Sequence, residues 1–130
     1  MENILEDNKL IAEFMVQNEG GLVKLGENIF STIDEFEIPD DYLTLKDLKY
    51  HKDWNWLMRV VEKIESFVFN ENNSFNVTIG ATNYCVIQDS NGEFYDGVED
   101  SGETKLLTVY NACVKFIKWY NEQNKNNESL

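Results

Sequence analysis

Apolar residues recur at three- and four-residue intervals in three stretches of the chain and alternate with polar ones in a fourth. Residues 8 to 16, Asn-Lys-Leu-Ile-Ala-Glu-Phe-Met-Val, put Leu10, Ile11, Phe14 and Met15 on one face of a short helix, with Asn8 as its cap. Trp54, Leu57, Val61, Ile64 and Val68 are spaced three, four, three, four, which draws one apolar stripe along a second helix. Asp53 caps it, and the next dozen residues hold no Gly or Pro to interrupt it. Arg59, Glu62, Lys63 and Glu65 take the other sides, and Trp56 lies off the stripe. Leu106, Tyr110, Cys113, Ile117 and Tyr120, flanked by Leu107 and Val114, make a third stripe. Asp100-Ser101-Gly102-Glu103 has capping-box spacing and opens that helix, which is expected to run to about Asn121. Lys115 and Lys118 complement its C-terminal dipole.

Between the second and third helices the period falls to two. In Ser74-Phe75-Asn76-Val77-Thr78-Ile79-Gly80 apolar and polar residues alternate strictly, the pattern of a half-buried strand. Ala81-Thr82-Asn83 reads as a turn and Tyr84-Cys85-Val86-Ile87-Gln88 as a more fully buried strand. Asp89-Ser90-Asn91-Gly92 makes another turn toward a third strand near Glu93 to Tyr95. Residues 18–43 form an acidic, glycine-containing insert. Gly20, Gly21 and Gly26 set turns around the short extended piece Leu22 to Leu25, and Pro39 marks its most loop-like part. The expected fold class is α+β: a small antiparallel β-meander of two to four strands, covered on one face by two amphipathic helices, with the short N-terminal helix and the insert completing it. At 130 residues one domain spanning 1–130 is expected, with residues 122–130 a frayed polar tail.

Charge changes the picture more than any motif. Twenty-four acids against 11 Lys and Arg give −13. Residues 1 to 50 hold twelve acids and four lysines, and residues 71 to 100 hold six acids and no base. No basic face is visible for a phosphate backbone, so direct nucleic-acid binding is not expected. The acidic surface suits solubility and also a basic partner. In Asp34-Glu35-Phe36-Glu37-Ile38-Pro39-Asp40-Asp41-Tyr42, acids alternate with apolar side chains, so Asp34, Glu35, Phe36, Glu37, Asp40, Asp41 and Tyr42 are candidate partner-binding residues, together with Trp56. The competing reading of that stretch is a solvated loop that tucks its own rings underneath. With 42% apolar residues the chain has the makings of a core. No apolar run reaches the roughly 18 residues of a membrane span, and the acidic N-terminus is unlike a secretory leader, so the expected location is the cytoplasm.

Candidate chemistry is sparse. Cys85 and Cys113 are too few and too far apart for a disulfide framework or a zinc knuckle, and Cys113 reads as a buried reduced thiol. His51, the only histidine, has no Ser, Cys or second His near it in sequence, which favours a structural or solvated role over catalysis. Asp89-x-Asn91-x-Glu93 imitates a calcium loop, but its glycine stands fourth where the sixth is needed. No catalytic residue, metal ligand or cofactor is therefore expected, and the chain does not read as an enzyme.

Three of these stretches carry a family likeness. "NKLIAEFM", "LKYHKDWNWLMRVVEKIES" and "VYNACVKFIKWYNE" together resemble a group of small bacteriophage and prophage proteins, mostly of unknown function, described as a phage α-β-α sandwich domain. The likeness covers residues 8 to 16 and 45 to 124, with Tyr50, His51, Trp54, Trp56, Leu57 and Met58 matching as a packing motif. It implies a phage gene acting in the host bacterial cytoplasm, and small acidic phage proteins are often inhibitors of host machinery. The chain also resembles an anti-CRISPR protein directed at a type VI-B, RNA-guided, RNA-cutting effector. The partner this implies is a basic host protein, the nuclease or its guide complex. The alternative is a structural or housekeeping phage protein that forms oligomers with itself or binds another phage component.

Overall fold

A computed structural model describes residues 3–18, 21–32, 43–66, 68–69, 73–81, 83–89, 95–98 and 104–128. The chain is α+β and divides into two compact units, Met1–Lys63 and Ile64–Leu130.

The first unit opens with helix α1, Ile4–Gln17, which is longer at its start than its apolar pattern suggests. Asn8 is not its cap. It lies one turn inside the helix, fully buried, because its side chain finds partners on the segment before the next helix. Strands β1, Leu22–Gly26, and β2, Ile29–Thr32, form an antiparallel hairpin within the acidic insert. Phe30 extends it by exchanging backbone hydrogen bonds with Leu43, at 2.9 and 2.8 Å. A 3-10 turn, Leu45–Asp47, is closed by the Asp47 carboxylate, which accepts from the Thr44 amide at 2.9 Å and the Thr44 hydroxyl at 3.0 Å. Those two bonds hold the Asp47 carboxyl below its ordinary pKa. Helix α1 packs against β1 and the 3-10 turn. Ion pairs Lys9–Glu27, 3.2 Å, and Lys24–Glu13, 2.8 Å, tie it to the hairpin at the surface, where such pairs add little stability. Ile11, Phe14, Met15, Leu22, Phe30, Leu48 and Leu57 are buried.

Helix α2, Trp54–Glu65, begins where Asp53 predicts it: the Asp53 carboxylate accepts from the Asn55 amide at 2.8 Å and the Trp56 amide at 3.4 Å. Leu57 and Val61 are buried as expected, but Trp54 is 39% exposed. As the first helical residue it sits at the end of the stripe, beyond the packed part. Val68, the other end of that stripe, is not helical. It belongs to strand β3, Val68–Phe69, where pairing with Ser74 overrides the helical period.

In the second unit β3, β4 (Asn73–Gly80), β5 (Tyr84–Asp89) and β6 (Tyr95–Val98) form a four-stranded antiparallel meander in chain order. The third strand of the sequence reading lies later than Glu93–Tyr95, since its pairing runs from Tyr95 to Val98. Asn83, at φ 56°, takes the left-handed conformation in the β4–β5 turn, which Asn tolerates better than most residues. The β4 alternation is real: Phe75 is buried while Asn76 and Thr78 are exposed. Cys85, Val86 and Ile87 on β5 are all buried, as befits a strand paired on both sides.

Helix α3, Lys105–Glu128, packs on β5 and β6. Its Tyr110, Cys113, Val114 and Ile117 are buried, and so are Val109, Ala112 and Phe116, so the buried face is broader than one stripe. Phe75 meets Phe116 edge to face at 4.9 Å and Trp119 at 5.9 Å. Thr104 caps the helix, its hydroxyl accepting from the Leu107 amide at 3.1 Å, while the expected box at Asp100–Glu103 lies outside the described residues. The backbone stays helical to Glu128, two turns past Asn121 and through most of the expected frayed tail. No described helix is long and apolar enough to cross a membrane.

Candidate functional site

The most structured polar constellation lies in the first unit, where the chain turns into α2. The Lys49 carbonyl accepts from the amides of Lys52 and Asp53, at 3.0 and 2.9 Å, making a tight turn that sends the Tyr50 side chain inward. The Tyr50 ring meets the edge of Trp56 at 5.1 Å and 78°, the geometry aromatic quadrupoles prefer. Trp56, off the apolar stripe, is thereby half-buried rather than free on the surface.

These two rings help line a pocket of about 200 Å³. Met15 and Leu22 supply the rest of its apolar lining, and Asp53, Asn55 and Arg59 its polar side. Gly21, also at the pocket, has φ +88° and lies beside Arg59 Nη1, 3.7 Å from where a Cβ would stand. A side chain there would be strained by the backbone whatever the space. Burial pushes the Tyr50 phenol well above its ordinary pKa, and the Arg59 charge acts weakly against that. The hydroxyl is thus a protonated donor at any working pH. The volume lies below the ~300 Å³ at which drug-sized sites begin, so it suits a small group.

Next to this pocket, His51 is held by Asn8, whose Nδ2 lies 3.0 Å from His51 Nδ1 and donates to the Leu48 carbonyl at 3.3 Å. With an amide NH₂ as neighbour, Nδ1 is the accepting nitrogen and the ring carries its proton on Nε2. Burial, and then the charge of Lys52, lower the His51 pKa. The result is a hydrogen-bonded ring biased toward its neutral form. Among the described residues no group of three or more His, Cys, Asp or Glu is placed to hold a metal ion.

Cys85 and Cys113, in the second unit, are buried thiols that form no disulfide. Burial raises the Cys113 thiol far above the range of reactive cysteines, as does the neighbouring Cys85. Of the candidate partner-binding residues, Trp56 is the one the structure places. Asp34, Glu35, Phe36, Glu37, Asp40, Asp41 and Tyr42 lie outside the described residues. The pocket itself escaped the sequence reading. Its signal was present in Trp56 and Arg59, one turn apart on α2 and both off the buried stripe.

The chain matches no family model, no curated protein and no solved structure.

Proposed function

We propose that the chain is an acidic protein-binding domain that inhibits a host nucleic-acid enzyme by occupying or perturbing its basic, guide-binding surface. The first target is an RNA-guided, RNA-cutting nuclease. The observation that carries this reading is the charge: the first unit holds fourteen acids against seven Lys and Arg, and the second ten against four. A net-negative protein, its acids concentrated in residues 1 to 50 and 71 to 100, meets its complement in a channel built to hold a phosphate backbone. The likeness to small phage proteins supplies the setting, and binding rather than catalysis agrees with a buried, weakly acidic thiol and a neutral, hydrogen-bonded histidine.

The test is direct binding of the purified chain to such a nuclease, with and without guide RNA, followed by target-RNA cleavage. Saturable binding with loss of cleavage supports the proposal. Absence of binding in both states overturns it for that target, and a self-associated species or a phage component as the sole partner favours a structural role in the phage.

A further inference from the structure

Tyr50 is 3% exposed, yet among the described residues its hydroxyl has no hydrogen-bond partner. Arg59, which lines the same pocket and whose charge acts on that hydroxyl, has no ion-pair partner among them either. Buried polar side chains are nearly always hydrogen-bonded, and an orphan among them calls for an explanation. The buried orphan is a donor, the protonated Tyr50 phenol, and the guanidinium of Arg59, an exposed residue lining the same pocket, is a second donor beside it. The carboxylate of the pocket is already engaged, since Asp53 Oδ1 accepts from the first amides of α2. What remains to be satisfied is donor capacity, beside the apolar surfaces of Met15, Leu22 and the Trp56 ring.

We propose that this pocket binds a small monocarboxylate with an apolar body. One carboxylate oxygen accepts from the Tyr50 hydroxyl, the group pairs with the Arg59 guanidinium, and the apolar body lies against Met15, Leu22 and Trp56. A charge-assisted pair reinforced by a neutral donor is a strong recognition unit. The pocket volume of about 200 Å³ limits the body to roughly one ring or one branched chain. Asp53 at the same pocket disfavours a second negative charge, so a dicarboxylate binds less well. The carboxylate comes either from a free small molecule or from the end of a polypeptide. This site is separate from the charge argument and stands or falls without a nuclease partner.

The experiment follows the Arg59 Nε–Hε and Trp56 Nε1–H signals of the full chain by NMR. The probes are benzoate, its neutral counterpart benzamide, and a short peptide ending in phenylalanine as acid or as C-terminal amide. Benzoate or the peptide acid should move both signals saturably, with the neutral counterpart roughly tenfold weaker or more. Response to benzoate identifies a free small acid as the source, and response to the peptide acid alone identifies a chain end. Arg59→Gln and Tyr50→Phe should each weaken binding at least roughly tenfold. Tyr50→Phe should melt at or above the wild-type temperature, because the lost hydroxyl had no protein partner. No response to either acid, equal response to acid and amide, or a clear loss of melting temperature in Tyr50→Phe would overturn the proposal.

Discussion

Asn8 and His51 illustrate how a single proton can be tied to the fold. Burial of the ring, and then the charge of Lys52, depress the His51 pKa from 6.5, so the native state favours the neutral ring to whose Nδ1 Asn8 donates. The unfolded chain takes up that proton more readily, so stability is full above about pH 6.5 and falls as pH drops through the folded pKa. His51 is the only histidine, and the lowered carboxylates of Asp47 and Glu27 titrate well below it. Urea midpoints should therefore decline between pH 6.5 and about 5 in wild type and stay level in His51→Gln. A decline of equal size in both would place the titration elsewhere. Asn8→Ala should cost about 1–3 kcal/mol at pH 7, because it strips a donor from the Leu48 carbonyl and from His51. The Asn8–His51 contact was not legible in the sequence. Asn is a favoured cap and stands where the apolar pattern begins, but partners about forty residues away decide its place. The α2 stripe was legible at its centre. Leu57→Ala should cost about 2–5 kcal/mol in a denaturant titration, and Trp54→Ala, at an exposed position, much less.

Elements were most readable where one physical pattern acts alone. The β4 alternation, the apolar β5 and the Asp53 cap all stand in the structure as the residues imply. The misplacements fall where pairing or packing competes with local preference. Val68 extends a helical stripe in sequence, yet β3 takes it through its ladder with Ser74. A stripe of one residue per turn also understates α3, whose Val109, Ala112 and Phe116 are buried beside the expected positions. Phe75 and Phe116 join the sheet to that helix, so Phe75→Ala should cost about 3–5 kcal/mol in the urea unfolding of the full chain. A change below about 1 kcal/mol would mean that this contact does not hold the second unit together. The two thiols give an independent reading of the same interior. Both side chains are fully buried and Cys113 is held protonated, so a thiol-specific reagent should label neither in native buffer and both in denaturant. Rapid native labelling would contradict the burial of β5 and α3.

At the scale of the whole chain, charge is the property that sequence states outright and that local structure does little to alter. A formal −13 with a pI near 4.3 produces a field that no surface ion pair of the kind seen between Lys9 and Glu27 offsets, because each such pair contains one acid for each base. Where that field helps a basic partner approach, its reach is the Debye length, ~10 Å at 0.1 M salt. The consequence for binding is kinetic. Raising salt from low to physiological should lower the association rate constant strongly and the dissociation rate constant little. Reversing the charges at Asp34, Glu35, Glu37, Asp40 and Asp41 together should reduce both the association rate and its salt dependence, since that segment holds five of the twelve acids in residues 1 to 50. Its melting temperature should remain close to wild type, because none of the five lies on an apolar stripe of the sequence pattern. Stopped-flow binding across a salt series measures both quantities in one experiment. An association rate indifferent to salt and to the reversals would move the contact away from the acidic segment, leaving the half-buried Trp56 as the candidate to substitute next.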